Sequence, residues 1–148
     1  MIGASLINSI INMLEGSKES FKPQMDKFFK NIIKILNNIK DFKDELKLYD
    51  DFIIHVYIKD LDFNLWIKMI GGSLNYHSNY YEPNPDNLRV VHYILTSDLI
   101  SKILMREMTA SEAYFKGLLE FEGEMSDVLV SRNLLNLFFK LLDLSLNE

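Results

Sequence analysis

AYFKGLLEFEGEM, residues 113–125, carries two glycines six positions apart, Gly117 and Gly123. Between them Leu119 and Phe121 share one parity and Glu120 and Glu122 the other, the period of a strand with one face buried. A glycine ahead of such a strand fits a helix ending in the left-handed conformation, which costs little only without a Cβ. The second glycine lets the chain turn sharply out of the strand. The pattern predicts a helix over 111–116, a strand over 118–123, and a helix opening at Ser126 or Asp127 and running to about Leu144.

That last helix is apolar on nearly every side. At about 100° per residue, Arg132, Asn136, Lys140, Asp143 and Asn147 fall in one narrow polar stripe, and Val, Leu and Phe fill most of the rest. A helix on a sheet needs a single apolar stripe. This one must meet apolar matter on two or three sides: a second layer of protein, another chain, or a bound lipid.

Upstream, LRVVHYIL (88–95) reads as a strand, and Ser97-Asp98 as the cap of a helix to about Arg106 with Leu99, Ile100, Ile103 and Leu104 inward. FIIHVYIKD (52–60) and FNLWIKMI (63–70) alternate with period two, Gly71-Gly72 signals a tight hairpin, and SLNYHSN (73–79) is the returning strand. YYEPNPDN (80–87) is a loop, because two prolines exclude a regular element. Helical spacing runs from Pro23, placed for a first turn, to Leu48, with a bend or split at Asn37-Asn38. Lysines on its other face are interspersed with Asp26, Asp41, Asp44 and Glu45, which describes a solvated face. A further apolar-faced helix is expected from Leu6 to Leu14, ended by Gly16-Ser17.

From about residue 45 to 144 the chain resembles the sterol carrier protein 2 (SCP2) sterol-binding domain family. The resemblance rests on Ala113-Tyr114-Phe115-Lys116-Gly117, the alternating LLEFE, and Gly123-Glu124-Met125, supported by Trp66, Gly71-Gly72 and Ser97-Asp98. One departure is Met105-Arg106-Glu107, where the family usually has a glycine. The resemblance implies an α+β fold. N-terminal helices precede three strands, a crossover to a fourth, a helical pair, a fifth strand and a closing apolar helix, all enclosing a hydrophobic tunnel. It implies lipid binding without catalysis: a sterol, fatty acid or other apolar lipid, no cofactor, and transient membrane contact. The expected tunnel wall is Leu65, Ile67, Met69, Leu99, Ile103, Phe115, Phe121, Met125, Leu134, Leu135, Phe138 and Phe139. The alternative is a ligand-free module of the same fold that forms a homodimer through the last helix and the Leu6–Leu14 helix.

Composition narrows the classes. With 148 residues the chain is most simply one domain, 1–148, with 1–16 an added helix; such a length buries about 70% of the unfolded surface. A net charge of −5 argues against nucleic acid, whose phosphates need a basic surface. Cysteine is absent, which removes thiolate chemistry and disulfides and fits a cytoplasmic protein. The N-terminal stretch lacks the basic region of a signal peptide and is too short to span a bilayer.

Catalytic and metal-binding signals are weak. His55, His77 and His92 lie on separate strands without ligand spacing, and read as exposed or hydrogen-bonded strand residues. Glu120 and Glu122 share the outward parity of their strand. No nucleophile elbow, P-loop or dinucleotide fingerprint occurs. A small cone-shaped enzyme would need a carboxylate or histidine on the inward parity of a strand, and those positions read as Ile, Val, Leu, Met and Phe.

Overall fold

The computed structural model describes residues 18–78 and 87–146, so the helix expected over 6–14 and most of the proline loop lie outside the described residues. Helical spacing before residue 48 resolves into α1 (Lys18–Leu36) and α2 (Lys40–Leu46), split at Asn37-Asn38. The split has a tertiary reason. The Asn37 amide donates to the Leu74 carbonyl at 2.7 Å and accepts from its N–H at 2.9 Å, doing for that residue what a neighbouring strand would. Pro23 sits inside α1 and not in its first turn, because the helix already runs from Lys18. The ring therefore removes one internal hydrogen bond.

Strands β1 (Phe52–Ile58), β2 (Phe63–Ile70), β3 (Ser73–Ser78), β4 (Arg89–Leu95) and β5 (Glu120–Glu122) form one sheet in the order β3-β2-β1-β4-β5. Only the β1–β4 pair is parallel. Gly71 and Gly72, at φ 59° and 77°, make the two-residue hairpin whose twist suits the flanking strands. Register brings Phe52, Ile54, Val56 and Ile58 opposite Met69, Ile67, Leu65 and Phe63, and Val91, Tyr93 and Leu95 continue that face on β4.

Helices cover this face. On α1, Phe29 stacks on Tyr76 of β3 with centroids 5.6 Å apart, and Asp26 accepts from the Ser78 hydroxyl at 2.7 Å. On α2, Phe42 and Leu46, one turn apart, are buried. Together with Met25, Phe28, Phe52, Leu65, Met69 and Val91 they belong to one continuous core.

α3 (Ser97–Leu104) is capped by Thr96, not Ser97: the Thr96 hydroxyl accepts from Leu99 N–H at 3.2 Å. Ser97 is engaged elsewhere, giving its N–H and hydroxyl to Asp60 in the β1–β2 turn at 2.8 and 2.5 Å. At its end Glu107 N–H reaches Lys102 O and Arg106 N–H reaches Ile103 O, at 2.9 and 3.0 Å. This double closure places Arg106 at φ 60°, so a non-glycine residue takes the left-handed position that the family usually gives to glycine. The Arg106 guanidinium lies over the Phe139 ring, 5.1 Å from its centroid. α4 (Ala110–Phe115), capped by Thr109, closes at Gly117, whose φ is 75° as its spacing predicts. Leu118 and Leu119 complete that turn with bonds to Ala113 O, which is why β5 starts only at Glu120. α5 (Met125–Leu146) closes the chain over β4.

Candidate functional site

α5 is held to the sheet by polar contacts in its first two turns and by apolar packing beyond them. Asp127, whose side chain is only 3% exposed, accepts from Arg89 Nε and Nη2 of β4, both at 3.0 Å. One turn on, the hydroxyls of Ser131 and Tyr93 hydrogen-bond. Burial raises the Tyr93 pKa above its ordinary value, the Asp127 charge adds to that, and the Ser131 contact works the other way. Asp127 also holds the Arg89 guanidinium above its ordinary value, chiefly by hydrogen bonding.

The inward face of the sheet is therefore not purely apolar. Arg89, Tyr93 and Tyr76 share the parity on which only Ile, Val, Leu, Met and Phe were expected. The sequence signal for Arg89 was its even spacing with Val91 and Tyr93; its partner, 38 residues away, was not visible.

Of the twelve expected wall residues, Leu65, Met69, Leu99, Ile103, Leu134 and Phe138 are buried in the core cluster. Ile67, Leu135 and Phe139 are half-buried against it, and Phe121 is half-buried on β5, its ring 5.0 Å from that of Tyr114. Phe115 and Met125 stand at the surface, 85% and 56% exposed. Ala113 is the buried residue of α4, and Phe115, two positions on, lies about 200° round the helix from it; Met125 is the opening residue of α5.

Beyond the first turns, α5 buries Leu134 and Phe138 one turn apart. Leu135, Leu137, Phe139 and Leu141 beside them are only partly covered. The apolar arc is thus wider than the contact that the core makes with it.

A separate open cleft of about 520 Å³ lies at the start of the helix. Leu48, Tyr49 and Asp50 line it from the α2–β1 connection, Phe52 from the start of β1, Arg89 from β4, and Glu124, Ser126, Asp127 and Val130 from the opening of α5. It contains none of the twelve expected residues.

The opposite face of the sheet gathers all three histidines. His77, Trp66, His55, His92 and Glu122 are successive partners across β3, β2, β1, β4 and β5. His55 stacks on Trp66 at 3.8 Å, and its Nδ1 is 2.8 Å from His92 Nδ1. Its Nε2 is 2.7 Å from Asn64 Oδ1. His55 thus spends one ring nitrogen on His92 and the other on Asn64, and among the described residues no group of three His, Cys, Asp or Glu is arranged to hold a metal.

No family model matches the sequence, and no curated protein does. Solved structures match the fold. The chain is similar to the UbiJ-SCP2 ubiquinone synthesis protein, with 14% identity over 80% of this chain and 98% of that one, at a TM-score of 0.58. Against apo sterol carrier protein 2 from Yarrowia lipolytica the figures are 11%, 75%, 89% and 0.54. Against the inverting sec-alkylsulfatase Pisa1 from Pseudomonas sp. identity is 18%, with 62% of this chain covered and a TM-score of 0.50. The chain spans 14% of the length of that enzyme. The fold is SCP2-like: α+β, with a five-stranded sheet. Among the described residues no helix is long and apolar enough to cross a membrane.

Proposed function

We propose that the protein binds an apolar lipid (a sterol, a fatty acid or a similar molecule) between α5 and the inward face of the sheet, without catalysis. The observation that carries this reading is the arc of α5. Leu135, Leu137, Phe139 and Leu141 are apolar yet only partly covered, in a fold that sterol carrier proteins share. The proposed wall is Ile67, Phe121, Leu135 and Phe139, backed by Leu65, Met69, Leu99, Ile103, Leu134 and Phe138. Phe115 and Met125 are left outside it because they face solvent. Apolar burial, worth about 25 cal/mol per Å², drives binding, and specificity for chain length or ring system is broad. The reading includes a cytoplasmic carrier in transient contact with membranes. Organic extraction of purified protein followed by lipid mass spectrometry tests it. Near-stoichiometric lipid is expected, and lipid-free protein that takes up none on incubation contradicts it.

A second reading has its own observation. Phe115, Leu118, Met125 and Leu129 are large, apolar and 48–85% exposed, which suits a homodimer contact. Native mass spectrometry separates the two: a ligand-free dimer favours the second reading, a liganded monomer the first.

A further inference from the structure

The cleft at the start of α5 differs in chemistry from the interior. Its apolar surface comes from Leu48, Val130 and the ring of Tyr49, since Phe52, at 1% exposure, offers almost none. Tyr49 donates its hydroxyl to Glu45 at 2.6 Å, so its polar end is committed and its ring is what remains for a ligand. Three carboxylates (Asp50, Glu124, Asp127) face one guanidinium, leaving a formal charge of −2. Arg89 spends Nε and Nη2 on Asp127, and the charges of Asp50 and Glu124 act on it only through space. Asp50 and Glu124, both exposed, are left without a described ion pair.

An apolar wall, an aromatic ring and a net charge of −2 around about 520 Å³ select a cation on an apolar stem. An anion meets net repulsion there, and a neutral alcohol leaves the carboxylates unanswered. An ammonium gains from both carboxylates and from the quadrupole of an aromatic ring. We propose that this cleft is a second binding site, which takes an organic ammonium group carried on a short apolar chain. The chain lies against Leu48 and Val130, and the cation is met by Asp50 and Glu124 beside Tyr49. The site does not depend on a lipid in the interior; amides of α5 beyond Leu134 report that, and those of residues 49–52 and 124–127 report this.

The test is a ¹⁵N-edited NMR titration of the full chain at low salt with n-hexylammonium, n-hexanoate, 1-hexanol and dihexanoylphosphatidylcholine in separate arms. Hexylammonium is expected to shift the amides of Tyr49, Asp50, Glu124 and Ser126 saturably, at least tenfold more tightly than hexanoate or hexanol. Shifts from the phosphatidylcholine as well would assign the ammonium to a lipid headgroup, and shifts from hexylammonium alone to a free amine; both support the site. The exposed double variant Asp50→Asn/Glu124→Gln should bind hexylammonium at least tenfold more weakly. In the wild type, 0.5 M NaCl should weaken it too, since exposed charges are screened. The proposal is overturned if hexylammonium gives no saturable shift, if hexanoate or hexanol binds the same amides as tightly, or if neither variant nor salt weakens binding.

Discussion

Arg89 and Asp127 form a two-bond ion pair that pins the first turn of α5 to the edge of β4, with the carboxylate buried and the guanidinium half-exposed. The two partners are not equivalent. Removing Arg89 leaves a charge stranded away from water, whereas removing both charges leaves only a small gap. Arg89→Met should therefore destabilise more than Arg89→Met combined with Asp127→Asn. Urea unfolding of the three proteins checks the order; a double variant less stable than Arg89→Met would show that the pair contributes more than its own compensation.

The two glycines that bracket β5 are required for different reasons. At Gly117, φ is 75° and an added Cβ meets nothing within 4 Å, so the cost of substitution is conformational. Gly117→Val should cost more than about 1 kcal/mol and Gly117→Asn less. At Gly123, φ is 149° and a Cβ would lie 3.0 Å from Val91 Cα and 3.1 Å from Val90 O. Gly123→Ala should add about 1–3 kcal/mol for the forced backbone shift, and so exceed Gly117→Ala. Thermal unfolding compares them; equal costs would show that the close approach to β4 is relieved without strain.

His55 and His92 make a tautomer prediction. Asn64 Oδ1 accepts from His55 Nε2, so neutral His55 presents a bare Nδ1, and His92 donates from its own Nδ1 across 2.8 Å. Long-range ¹H–¹⁵N correlation at pH 8 should show His55 with its proton on Nε2 and His92 with its proton on Nδ1. A proton on His55 Nδ1 would contradict the arrangement.

Asp26 makes one about pH. Burial acts to raise its pKa, but hydrogen bonds from Lys30 and Ser78 outweigh that and hold it below its ordinary 3.8. A depressed folded value means the contribution is complete above pH 3.8 and is lost as pH falls through the folded value. The stability advantage of wild type over Asp26→Asn should stay level from pH 7 to 5 and narrow below about pH 4. An advantage that persists unchanged to pH 2 would show that the carboxylate acts by shape and not by charge.

Much of this architecture is legible in local pattern. The change of period at residue 52, the glycine pair at 71–72 and the glycine at 117 each reflect a short-range constraint that side chains announce. What stayed hidden depends on distant partners. Thr96 and Ser97 are both competent caps, and the choice falls on Thr96 because Asp60, from another turn, engages Ser97. Arg106 replaces an expected glycine because backbone closure and the Phe139 ring hold it in a conformation that its sequence does not suggest. The histidine row exists only once the parallel β1–β4 register is known. The candidate wall suffers most. The wall implied by the resemblance takes Leu65, Phe138 and Phe115 alike; the structure buries the first two, but the Phe115 ring lies in solvent.

The proposed interior lipid site is tested most directly at Leu135, half-buried on the arc of α5. Bulk added to a filled core costs about 1–3 kcal/mol, while bulk added to space that a ligand would occupy costs less. Delipidated wild type and Leu135→Trp are compared by thermal unfolding with and without a fluorescent fatty acid. Wild type should be stabilised by about 2.7 kcal/mol at a ligand concentration one hundred times its dissociation constant. Leu135→Trp should unfold within about 1 kcal/mol of wild type without ligand and show no binding and no shift with it. A wild type that neither binds nor shifts, together with a variant already unfolded without ligand, would mean that the interior is filled and that the protein is not a lipid carrier.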